Sequence, residues 1–291
     1  MRPFDNIVAL EQAQILDRPA AVARGVVQRL LRRPAIKDAL HGVWLGHPLH
    51  PALAQLTLGS FLSAALIDLV GAGRRESTGL ITLGVAATVP TVAAGWADFA
   101  DSHEEQQRVG LVHAATNTVA VTCFLAVLAR RARGGDGRAL SVTAGAISGL
   151  AAVLGGHLSY RQALGANHAE DIPHIGPGDW QTLGPAADLP DGHPVRRHAG
   201  DTPVLVLRRG DVVSVLSDRC PHLSAPMHEG EIDEDHGVPT VVCPWHGSEF
   251  RIPDGTVVHG PATAPLPCFE SRVIAGNLQA RVRTIPGVPA S

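Results

Sequence analysis

The sequence predicts a mixed fold, with an N-terminal α-helical bundle that crosses a membrane four times and a C-terminal all-β domain. Four apolar runs of about 20 residues follow one another, at 51–72, 78–97, 110–129 and 139–158, each long enough to cross ~30 Å of hydrocarbon as a helix. From residue 204 onward, short β-rich runs alternate with turn residues instead. At 291 residues the chain exceeds one small β-domain, so two domains are expected.

In chain order, residues 1–46 form an N-terminal helical segment lying on the membrane surface. It is expected to break at Pro19 and Pro34, with Val22, Val26 and Leu30 on one stripe and Arg29 and Arg33 beside it. Residues 47–160 hold the four spans, separated by the polar stretches 73–76, 101–108 and 130–138. A soluble bundle would need polar outer faces, which these runs lack. Gly84, Ala86, Ala87, Gly145, Gly149 and Ala152 permit close helix approach in lipid. Residues 161–179, rich in Gly, Pro and acidic side chains, read as a flexible linker. Residues 180–291 form the β-domain, with strands at 204–208 and 212–216 about a turn at 209–211, a turn at Asp254-Gly255, and a hairpin of 272–274 with 278–282.

Into that domain falls the quartet Cys220-Pro221-His222 and Cys243-Pro244-Trp245-His246. Two thiolates on one iron and two neutral imidazoles on another are the donors of a Rieske-type [2Fe–2S] cluster, and His in place of Cys raises the potential. A structural zinc uses the same residue types and is the alternative. With Gly247, Ser248, Asp254-Gly255 and Gly260-Pro261 around the quartet, residues 180–284 resemble the Rieske ferredoxin family. The resemblance implies Cys220, His222, Cys243 and His246 as iron ligands, with Ser248 behind them donating to a bridging sulfide. It also implies electron exit at the exposed edges of His222 and His246. The high-potential branch of the family has a disulfide and a donating tyrosine, whereas this chain has Ala225, Trp245 and Phe250 there. Fewer donors imply a potential around −150 mV, in the lower part of the Rieske range.

Leu45-Gly46-His47-Pro48-Leu49-His50-Pro51 resembles the HPLHP signature of a bacterial four-helix membrane domain of unknown function, over roughly residues 15–160. Four spans put both flanks of the bundle on one side. His47, His50, Asp98, Asp101, His113 and His157 then gather at that end as a candidate metal, haem or quinone site exchanging electrons with the cluster. Alternatively these are interfacial side chains that cap helix ends. Asp68, at the other end, is expected to reach toward Arg74 or Arg75. Gln55 and Asn117 are further candidates for the bundle interior.

The net charge of −3 gives no basis for nucleic-acid binding. The four cysteines, two of them in the quartet, fit a metal role rather than an oxidised scaffold. Basic residues nearly balance across the spans, but those before the first span favour a cytoplasmic N-terminus. The expected protein is therefore integral to a bacterial inner membrane with a cytoplasmic cluster domain. Its expected partners are the lipid bilayer and a soluble reductase or membrane redox partner. The expected function is single-electron transfer without an oxygenase catalytic domain; a subunit of a larger membrane oxidoreductase and a non-catalytic redox sensor are the alternatives.

Overall fold

In the computed structural model, which describes residues 5–284, the chain forms two units. The helical unit comprises residues up to 36 together with 48–164; the β unit comprises 37–47 together with residues from 165 onward.

The helical unit opens with α1 (Asp5–Glu11) and α2 (Asp17–Leu30). The expected break at Pro19 is absent, because Pro19 lies in the first turn of α2, where no intrahelical N–H is required. A third helix, α3 (Pro34–His41), follows. Arg108 fastens α1 and α2 to the bundle by donating to the Asp17 carboxylate at 2.6 Å and the Glu11 carbonyl at 2.6 Å. Val22, Val26 and Leu30 remain exposed along α2.

The spans are α4 (Leu49–Leu69), α5 (Arg74–Ala100), α6 (Glu104–Ala132) and α7 (Arg138–Gly156), all four long and apolar enough to cross a bilayer. Each packs on its chain neighbour and α4 also packs on α7, so α4 and α6 face each other diagonally. On that diagonal the rings of Phe61 and Phe124 stack, with centroids 4.2 Å apart. Gly84 and Gly145 permit the close packing: a Cβ on Gly84 would lie 2.5 Å from the Phe61 ring, and one on Gly145 would lie 2.4 Å from Ala65 Cβ.

The two helical hairpins repeat one another. His50 and His113, Phe61 and Phe124, and Asp68 and Arg131 are each separated by 63 positions. Gly73 and Gly137 cap α5 and α7 in the same left-handed conformation. At the Asp68 end the expected partner is corrected. Asp68 accepts two hydrogen bonds from Arg131, at 2.6 and 2.7 Å, and one from Ser77. Arg74 instead donates to the Gly135 carbonyl. A charge this deep in apolar surroundings is held by a fully hydrogen-bonded partner from the facing hairpin rather than by one that reaches outward.

The β unit contains two antiparallel sheets. The larger runs β1-β10-β9-β4-β3-β2, from β1 (Gln181–Pro185), β2 (Val195–Ala199), β3 (Thr202–Arg209), β4 (Val212–Ser217), β9 (Cys268–Ile274) and β10 (Asn277–Val282). The smaller runs β5-β6-β7-β8, from β5 (Glu231–Asp235), β6 (Val238–Val242), β7 (Glu249–Arg251) and β8 (Val257–His259). The expected hairpins are present. The acidic run from Glu229 to Asp235 ends a short turn and forms β5.

Strand β3 is buried on both faces. Leu205 and Leu207 enter the core shared with Cys220 and Cys243, whereas Val204 and Val206 enter a second core with Ala169 and Ile172. The presence of Ala169 and Ile172 there overturns the expectation of a flexible linker. Helix α8 (Ile172–Ile175) and the residues around it cover the large sheet. The His168 amide bonds the Pro221 carbonyl at 2.8 Å, and Arg219 pairs with Asp171. A Pro- and Gly-rich composition had concealed two well-placed apolar side chains.

The segment 37–47 joins this unit from far away in sequence. Asp38 accepts from His259 Nδ1 at 2.7 Å and from the Gly260 amide at 2.9 Å. His41 is buried, and Gly260 is so close that a Cβ there would lie 2.8 Å from Val43.

Candidate metal centre

Strand β4 leads into the first Cys/His loop, and the second is the connection between β6 and β7. Both loops close with the same two backbone hydrogen bonds. Cys220 N–H donates to the Ala225 carbonyl and Ser224 N–H to the Cys220 carbonyl; Cys243 N–H donates to the Ser248 carbonyl and Gly247 N–H to the Cys243 carbonyl. Ser224 and Gly247, at the equivalent position of each loop, have φ of 65° and 74°. This left-handed residue turns each loop back and lets it present both side chains inward.

The donors meet as two pairs. The Cys220 and Cys243 thiols are buried and hydrogen-bonded to each other. That contact, with burial, holds the Cys220 thiol well above its usual range, while the proton it donates pulls Cys243 down to about 7. The imidazoles of His222 and His246 stand edge to face with centroids 4.9 Å apart, and Nδ1 of His222 is buried. Among the described residues, no three His, Cys, Asp or Glu side chains converge on one point as a single metal ion requires. A sulfur pair and a nitrogen pair on two matching loops fit a two-iron group with one pair on each iron.

Ser248 is buried, and its hydroxyl oxygen accepts from the Ala262 amide at 2.9 Å, which leaves its proton to donate. Pro221, Leu223 and Pro261 are buried around the loops, whereas Trp245 is 48% exposed. Sequence reasoning missed Asp218, which is 4% exposed. Its carboxylate accepts from the backbone and ring of His228, at 2.7 and 2.8 Å, and lies 3.4 Å from Arg196 Nε. It stands two residues before Cys220 and braces the base of the first loop. Of the other histidines in the domain, His236 is exposed, whereas His228 is held by Asp218 and His259 by Asp38.

Among the described residues, no three of His47, His50, Asp98, Asp101, His113 and His157 come together as a metal-binding group. His47 belongs to the β unit. His157 Nε2 bonds the Glu11 carboxylate at 2.7 Å. Asp98 and Asp101 lie at the end of α5, where the Asp101 amide bonds the Asp98 carbonyl. His50 and His113 each bond a backbone carbonyl, of Thr91 and Ala151 respectively, at 2.9 Å. Asn117 stands against His113, whereas Gln55 is on the outer, exposed face.

The β-domain and its paired donors define an electron-carrying iron–sulfur protein. Residues 179–270 match the Rieske [2Fe-2S] domain, and the chain belongs to that family. Residues 46–168 match a second family, described as "Predicted membrane protein (DUF2231)". The chain is 34% identical to ferredoxin CarAc of Metapseudomonas resinovorans over 34% of its own length and 90% of that protein. It is 35% identical to the 3-phenylpropionate/cinnamic acid dioxygenase ferredoxin subunit of Escherichia coli (strain K12), over 32% and 85% of the two chains. It is 29% identical to the anthranilate 1,2-dioxygenase ferredoxin subunit of Burkholderia cepacia, over 36% and 93%.

Proposed function

We propose that this protein is a membrane-anchored Rieske electron carrier, in which Cys220 and Cys243 hold one iron and His222 and His246 the other. The pairing of thiol with thiol and imidazole with imidazole on two matching loops carries this reading. The bound cluster takes up and releases single electrons. The chain's own residues shape that exchange: Ser248 donates to the sulfur side, Pro221, Leu223 and Pro261 exclude water, and the imidazole edges beside exposed Trp245 give a partner access.

The ferredoxin subunits it resembles are named for dioxygenases, so a soluble reductase as donor and an oxygenase as acceptor are one pair of partners. The membrane domain offers another, a metal, haem or quinone site within the bundle. The β unit combines a segment before the first span with residues after the fourth, which supports both flanks on one side of the bilayer. The basic residues before α4 favour the cytoplasmic side of a bacterial inner membrane.

The test is electron paramagnetic resonance of the full chain in membranes. A rhombic signal on reduction, a midpoint around −150 mV, and loss of the signal in Cys220→Ser and His246→Ala support the reading. A colourless protein with stoichiometric zinc overturns it. Cysteine labelling of an exposed β-domain position in intact cells tests the sidedness.

A further inference from the structure

Three features single out His50 and His113 within the bundle. They occupy the same place in the two repeated hairpins, and each Nδ1 lies 2.9 Å from a carbonyl of the next helix, Thr91 of α5 or Ala151 of α7. A carbonyl only accepts, so Nδ1 carries the proton and Nε2 keeps its lone pair. This is how a protein fixes the tautomer of a metal-binding imidazole.

Each ring also packs against a glycine one turn beyond that carbonyl. A Cβ on Gly95 would lie 2.8 Å from the His50 ring, and one on Gly155 would lie 3.1 Å from the His113 ring. A larger residue at position 95 would displace the His50 ring, and one at position 155 would crowd the His113 ring. The same carbonyl-plus-glycine seat has been built twice, on diagonal helices, and the two imidazoles are near enough to interact electrostatically.

Packing opens between them. On α4 the inward face is buried from Ser60 to Asp68, and on α6 from Ala120 to Arg131. One and two turns toward the histidines, the same faces carry Leu53, Ala54, Thr57, Thr116 and Asn117, all only half-buried. Burial thus falls off from the Phe61–Phe124 stack toward the end of the bundle that carries the two histidines.

We infer that His50 and His113 are the two axial ligands of a b-type haem seated between α4 and α6 in the membrane bundle. A flat macrocycle with an iron reachable from both faces matches two equivalent Nε2 lone pairs on facing helices. Among the described residues no third His, Cys, Asp or Glu joins them, as a metal ion alone would require. Ligation at His113 replaces the 3.2 Å contact of Asn117 Nδ2 with Nε2. This deepens the reading of the bundle as a redox partner of the cluster, and it excludes His47 and His157 as ligands.

The experiment uses the full chain, produced in membranes of cells fed 5-aminolaevulinate. Reduced-minus-oxidised spectra and a pyridine haemochrome assay should show one low-spin b-type haem per chain. It should be lost in His50→Gly and His113→Gly, regained when imidazole is added, and retained in His47→Ala and His157→Ala. The rhombic cluster signal, read on the same samples, reports separately on the carrier and on whether each variant folds. Cluster signal without haem, haem that survives both glycine variants, or bound quinone alone overturns the inference while leaving the carrier intact.

Discussion

Arg131 grips Asp68 through both carboxylate oxygens, at 2.6 and 2.7 Å, joining the last turns of two diagonal helices inside the bundle. The two side chains are 3% and 0% exposed, so neither charge has water to fall back on. Removing one partner leaves the other stranded: Asp68→Ala is expected to cost about 3–5 kcal/mol. The double variant Asp68→Leu/Arg131→Met should recover most of that. Thermal unfolding in detergent reads both, and equal losses in the single and double variants would refute the pairing argument.

Ser248 couples two loops, since its oxygen takes the Ala262 amide and its proton is left to donate toward the cluster. Ser248→Ala should lower the midpoint by roughly 40 mV, the equivalent of one hydrogen bond of about 1 kcal/mol. Redox titration followed by electron paramagnetic resonance measures the shift, and an unchanged potential would show that the hydroxyl points elsewhere.

Asp38 satisfies His259 and Gly260 at once from a segment 221 positions earlier than that histidine. Asp38→Ala should destabilise the β unit by about 1–3 kcal/mol and speed amide exchange across 37–47, with α4 to α7 unaffected. Hydrogen exchange with mass spectrometry checks this segment by segment.

The carboxyl of Asp235 is held below its usual range by the hydrogen bonds from Arg251, which join β5 to β7. A lowered folded pKa adds stability that is present above the ordinary Asp value, ~3.9, and fades as pH falls through the lowered one. The melting temperature of Asp235→Asn should therefore fall slightly below that of the wild type at neutral pH. The two curves should merge in strong acid, and a gap that persists there would exclude linkage through this carboxyl.

What the sequence disclosed follows from which features are local. The spans, the hairpins and the Cys/His quartet are written in runs and spacings within 25 residues or so, where composition and turn chemistry dominate. The Asp68 partner was missed because Arg74 and Arg75 are near in sequence, whereas Arg131 becomes near only once α4 and α6 face each other. Ala169 and Ile172 were hidden by the prolines and glycines around them, although two apolar residues three apart fit one turn against a sheet. The repeat relating His50, Phe61 and Asp68 to His113, Phe124 and Arg131 was present in the sequence, but only the stacked rings and the ion pair reveal it as symmetry.

The composite make-up of the β unit, residues 37–47 together with those from 165 onward, fixes an order of manufacture. The first piece leaves the ribosome before any span, and its docking surface at His259 and Gly260 is translated only after all four spans. Until then the early piece must wait unpaired while the helices enter the bilayer. The iron-binding unit thus closes last, so a chain that stalls or is cut short within the spans never completes the seat for its metal.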